Sequence, residues 1–224
     1  MNVEMKKYTE PIFARLAVFG AELAQHPLLT AAKDGVVSRT ILHEFAFHQF
    51  SDSILWIPML AQMKSKATRS LRLRRAIEDN IAHEAGLAGT SHVTLAVSLM
   101  RSLGIASVDA FPASTFTRSA SLWLSDEFEC FAEPEIAGWL LTAETLVPLM
   151  FAAFQPAFER LGCDGRYFTE HVAVDTDEHA TWMAEAIHDV IDVYGPSCIS
   201  QIHAGMDDAR AETLEVPNEL WSRR

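Results

Sequence analysis

The sequence predicts an all-α bundle of about seven helices, on three observations. Apolar residues recur at helical spacing through almost every segment, as in Ile12, Leu16, Phe19 and Leu23. Runs of alternating β-branched residues joined by Asn-Gly turns do not occur, and no internal repeat is visible. A chain of 224 residues that is 49% apolar is long enough for one well-buried domain spanning 1–224.

Each element has a local reason. Thr9-Glu10-Pro11 reads as a cap and an early-turn proline, opening a helix that runs to about His26-Pro27. A short turn-rich piece ends at Asp34-Gly35. Ser38 caps the second helix, through Ile41, Phe45, Phe47, Ile54, Leu55 and Trp56, which Pro58 bends. Thr68 opens a third helical region that runs past Gly86 and Gly89 to Leu103-Gly104. Residues 106–114, with Pro112, read as a loop, and a fourth helix spans about 115–131. Glu133-Pro134-Glu135 starts a fifth, interrupted by Pro148 and Pro156 and ending near Leu161-Gly162. The sixth carries Tyr167 to Met183 and stops at Tyr194-Gly195-Pro196; a seventh runs from about Ser197 to Leu214 before a frayed tail.

Charge and composition exclude several classes. A net charge of −12 disfavours a nucleic-acid surface, and the basic stretch from Lys64 to Arg75 spreads over several turns as a solvated face. Met1 to Glu10 is polar and unlike a secretion signal, and no apolar run reaches the ~18 residues of a membrane span. Cys130, Cys163 and Cys198 are odd in number and form no CxxC pair, which argues against a disulfide framework or a thiolate zinc site. A cytoplasmic protein is the expectation.

The chemistry concentrates in the sixth helix. His171, Asp175 and His179 are each four residues apart, and every such step turns only about 40° on a helix. One face therefore carries two imidazoles and a carboxylate, as a shared metal requires. Asp177 points away, while Glu178, seven residues after His171, is a rival for the last position. A solvated polar face is the alternative. Val172, Val174, Ala180, Met183 and Ile187 argue for packing, and packed ionisable groups need partners.

Further ligands would come from facing helices. Glu84 and His92 are eight residues apart, about 80° around a helix, within reach of one metal if the Gly86–Gly89 part is loosened. A carboxylate paired with a basic residue and a hydrogen-bonded core histidine is the plainer account of the two. Glu144 is a lone acid in the apolar run Trp139 to Val147, where a metal, a histidine or an arginine must answer it. Three carboxylates and three imidazoles suit iron or manganese better than zinc. On the second helix His48, Asp52 and Trp56 belong to a stretch of mixed polarity that reads as a pocket wall, although aromatics at this spacing are commonly plain core. His48 and Asp52, four apart, can pair with each other or contact a substrate amine.

In these residues the chain resembles the haem-oxygenase-like diiron oxidases and oxygenases, from about His43 to His188. That superfamily shares a seven-helix fold with thiaminase II and the pyrroloquinoline-quinone synthase C protein. Its pattern is a Glu then a His on the third core helix, a Glu on the next, and His-x-x-x-Asp-x-x-His on the sixth. The matching positions here are Glu84 with His92, Glu144, and His171 with Asp175. The family's last His falls three residues after the Asp, where this chain has Glu178 and then His179. A neighbouring branch of the fold has the same Asp-x-Asp-Glu-His run and Ser-His pair, which favours His179, its direction restored by a one-residue bulge.

The resemblance implies two Fe(II) ions, O2 as co-substrate reduced to a bridging peroxide, and an external electron donor. It implies a small-molecule substrate, an amine or amino acid, with N-oxygenation in specialised metabolism favoured. Oxidative decarboxylation, carbon–carbon cleavage and nitrile formation occur on the same fold. By analogy the chain forms a homodimer. Two rivals of other classes are a cofactorless enzyme resembling thiaminase II and a non-catalytic helical binding protein.

Overall fold

Side-chain caps at His26, Ser38, Ser70 and Ser91 fix where four of the helices begin. The computed structural model describes residues 3–87, 89–107, 130–174 and 179–223. Among these residues nine α-helices follow in order and no strand occurs: α1 (Val3–Ala24), α2 (Pro27–Asp34), α3 (Arg39–Lys66), α4 (Leu71–Glu84), α5 (His92–Ser102), α6 (Glu133–Arg160), α7 (Arg166–Val174), α8 (Ala180–Tyr194) and α9 (Ile199–Ser222). The expected fourth helix and most of the expected loop before it fall on 108–129, outside the described residues.

Several boundaries differ from the sequence reading, each for a physical reason. Thr9 does not start α1; its hydroxyl bonds back to the Met5 carbonyl, and Pro11 sits on the exposed side of a helix already under way. The turn-rich piece is helical: the His26 Nδ1 accepts the Leu28 amide, Pro27 takes the first position, and Gly35 closes α2 at φ 69°. Ser38 caps α3 as expected, accepting the Ile41 amide. Pro148 and Pro156 lie inside a continuous α6, because its buried face, with Leu146, Met150, Phe151, Phe154 and Phe158, outweighs the hydrogen bonds they remove. The tail is not frayed, since α9 continues to Ser222, buries Leu220, and ties Arg223 to Glu44.

The third helical region breaks in two, and this break positions the site. Gly86 adopts φ 76°, and a side chain there would collide with the backbone of Ser91. Ser91 then caps α5 by accepting the Thr94 amide. Glu84 is thus the last residue of α4 and His92 the first of α5.

Around this, α6 is the axial element. It packs on α9 along its length and also meets α8, α2, α1, α7 and α3. By length and composition α6 could cross a membrane, contrary to the sequence reading; 78% of its most apolar stretch lies buried inside the bundle, which is why it is apolar. Buried Glu133 at its start accepts the amides of Thr68, Arg69 and Ser70 and the Tyr194 hydroxyl, pinning the α3–α4 turn and the end of α8 to α6. The described residues are therefore all-α, as the sequence predicts.

The α6–α9 crossing needs glycine on both sides. A Cβ on Gly138 would overlap the Ile202 carbonyl oxygen, and one on Gly205 the Glu135 carbonyl oxygen. Gly205→Ala is therefore expected to destabilise by about 1–3 kcal/mol, lowering the urea midpoint at unchanged slope. Gly89→Ala, where a Cβ meets nothing within 4 Å, should leave the midpoint in place.

Candidate metal centre

Two carboxylate–imidazole pairs form the heart of the site. In the first, the turn at Gly86 folds α5 back on α4, and His92 Nδ1 lies 2.7 Å from Glu84 Oε2, both side chains buried. The angular separation expected on one helix is replaced by direct approach between two. In the second, Glu144 stands mid-way along α6 and is 4% exposed. Its Oε2 lies 2.9 Å from His179 Nδ1, and its Oε1 accepts the Asn80 amide at 2.5 Å. His179 is wholly buried and stands at the head of α8.

His171 joins the pairs from α7. Its ring lies 4.0 Å from that of His92 and edge-on to Phe151 at 4.8 Å. Its Nδ1 is 2.6 Å from the Tyr167 carbonyl oxygen, and a carbonyl can only accept. Nδ1 therefore carries the proton, and Nε2 keeps its lone pair. Burial, reinforced by His92, holds the ring's pKa well below its ordinary value, so the ring is neutral. A histidine whose second nitrogen donates to a backbone carbonyl is oriented as metal ligands are.

The structure adds a residue the sequence reading missed. His83, on the last turn of α4, sets its ring 4.9 Å from His92 and 5.1 Å from His179, nearly perpendicular to both. One donor atom from each of His83, Glu84 and His92 lies within 4.8 Å of the others. Burial first, then His92 and His179, lowers the His83 pKa to about 4. A signal existed: Asn80, His83 and Glu84 follow the i, i+3, i+4 rule that singled out the sixth helix.

Glu84, Glu144, His92, His171 and His179 thus converge, and Asp175 with its neighbour Glu178 lies outside the described residues. Glu84, Glu144 and His171 border one cavity of about 90 Å³. From α3 it is lined by Asp52 and Trp56, together with Gln49 and Ser53; buried His48 is not in its wall. α6 adds Val147, Met150 and Phe151, and α7 adds Tyr167. Glu212, Thr213 and Val216 of α9 complete it, although the sequence reading gave that helix no role.

A family model described as iron-containing redox enzyme matches residues 40–210. The chain belongs to this family. No curated protein matches it significantly. Every residue of the cluster falls within the matched span, and the donor set fits the family's iron. Two carboxylates supply charge, His171 is neutral with its tautomer set, and the buried His83 Nδ1 has no hydrogen-bond partner among the described residues. Mixed nitrogen and oxygen donors of this kind are those iron(II) takes.

The lowered histidines make stability depend on pH in a defined direction. His83 titrates near 6.5 when unfolded and about 4 when folded, so between those values the unfolded chain holds more protons. Stability of protein stripped of metal is therefore expected to fall as pH drops through that window. Urea midpoints at neutral pH and near pH 5 should show a smaller drop for His83→Ala than for the unmodified chain.

Proposed function

We propose that this member of the iron-containing redox enzyme family is a non-haem diiron oxygenase acting on a small amine or amino-acid-derived substrate, with N-oxygenation as its reaction. The observation that carries the reading is the convergence of two buried carboxylate–imidazole pairs and a tautomer-fixed His171 on the edge of one internal cavity. A lone metal would not need both pairs, and a cofactorless pocket would have no use for three neighbouring imidazoles stripped of water.

Glu84, His92, Glu144, His171, Asp175 and His179 would hold the two irons. Bound there, ferrous ions supply the reduction of dioxygen, with an external donor returning the two electrons that N-oxygenation consumes.

The chain's own part is to place the substrate and exclude water. Trp56, Val147, Met150, Phe151 and Val216 give the cavity an apolar body that receives the substrate's carbon skeleton. Asp52 accepts a hydrogen bond from its amino group, while Gln49, Ser53 and Tyr167 fix its orientation. Asn80 keeps the Glu144 carboxylate from rotating, since it grips the oxygen that His179 does not. Phe45 and Phe154 stack in the core at 3.9 Å between centroids, and neither lines the cavity.

Metal analysis of protein grown with iron is expected to give two irons per chain. Exposing the ferrous protein to oxygen should give a transient visible absorption. Glu144→Ala and Glu144→Gln should remove both signals; folded Glu144 variants with undiminished iron would take that residue out of the site. Protein that binds no iron would return the chain to the cofactorless reading.

A further inference from the structure

We infer that His83 is itself an iron ligand, standing between the two carboxylate–imidazole pairs and giving the centre an imidazole beyond those of the family pattern. The inference rests on the diiron reading above and deepens it. The pattern draws on Glu84 and His92 in this part of the chain and passes over the residue before Glu84.

The geometry supports a ligand more than a packed core histidine. The His83 ring touches one imidazole from each pair, His92 at 89° and His179 at 84°, so it sits where the two halves of the site meet. Its Nδ1 is buried and makes no hydrogen bond among the described residues. Leaving such a group unanswered costs about 1–3 kcal/mol. The nearby side-chain amide of Asn80 is turned to Glu144 instead. Donor atoms of His83, Glu84 and His92 already lie within 4.8 Å of one another, a spacing that one ion can span. A further imidazole here would suit iron(II), which takes mixed nitrogen and oxygen donors.

A ligand can be told from a residue that only positions its neighbours by placing a thiol at the position. Cobalt(II) serves as the probe, because a thiolate bonded to it gives a near-ultraviolet charge-transfer band that a thiol merely nearby does not. His83→Ala is expected to lose affinity for one of the cobalt ions by about tenfold or more. His83→Cys is expected to bind cobalt with the thiolate band. Far-ultraviolet circular dichroism confirms folding, and His83→Gln, which keeps the side-chain volume, stands in for an alanine variant that unfolds.

Unchanged cobalt affinity in folded His83→Ala or His83→Gln overturns the inference. So does lost affinity with no thiolate band in folded His83→Cys, which would make His83 a positioning residue. If the unmodified chain binds no cobalt and no iron, the diiron reading falls as well. An intact pair of sites in the unmodified chain and in the alanine variant removes His83 alone.

Discussion

The structure depends on how it answers one carboxylate. Glu144 lies in the middle of a long, largely buried apolar helix, 4% exposed, where an ionised acid without partners would cost several kcal/mol. Asn80 from α4 and His179 at the head of α8 provide those partners, so three helices are held to one another through a single side chain. The bond is polar, short-ranged and directional, unlike the apolar contacts around it. Losing either partner leaves the other polar group buried and unsatisfied, which is why such a network fixes one arrangement of the helices rather than a family of them.

The second pair is built by a different device. Glu84 and His92 meet because the chain turns at Gly86 and restarts at the Ser91 cap, which places the end of one helix against the start of the next. A continuous helix would have spread these groups around its circumference. On the far side of α6, backbone contact at Gly138 and Gly205 brings α9 close enough for Glu212, Thr213 and Val216 to line the cavity. Among the described residues the candidate donors sit on α4, α5, α6 and α7 and at the head of α8, while α3 and α9 contribute cavity wall.

Much of this was legible in the sequence where a single residue carried its own physics. A lone acid in an apolar run demanded a partner, and Glu144 has a histidine. Helical spacing drew attention to His171 and His179, and Ser38 announced a helix start that the structure contains. What was not legible depended on tertiary context. Pro148 and Pro156 signal a break, but the packing of α6's buried face overrides a local preference. Gly86 was read as loosening a helix when its positive φ ends one. His83 escaped notice because its neighbour Glu84 was the more conspicuous residue, and only the placement of His92 and His179 shows that its ring lies between them. The role of α9 in the cavity arises from the glycine contact, which no periodicity in either helix reveals.

Electrostatics explains why a cluster of this composition calls for cations rather than protons. Burial drives His83 and His171 toward the neutral form, so they cannot balance the charge of Glu84 and Glu144 at neutral pH. Hydrogen bonds from Asn80 and His179 disperse the charge on Glu144 without cancelling it. A divalent ion does both: it neutralises buried negative charge and takes up lone pairs that desolvation has kept free of protons. The same burial that makes the folded chain sensitive to acid therefore prepares it for metal. Because the unfolded chain has no such convergence of donors, the binding energy of a metal held there would add to the folding energy.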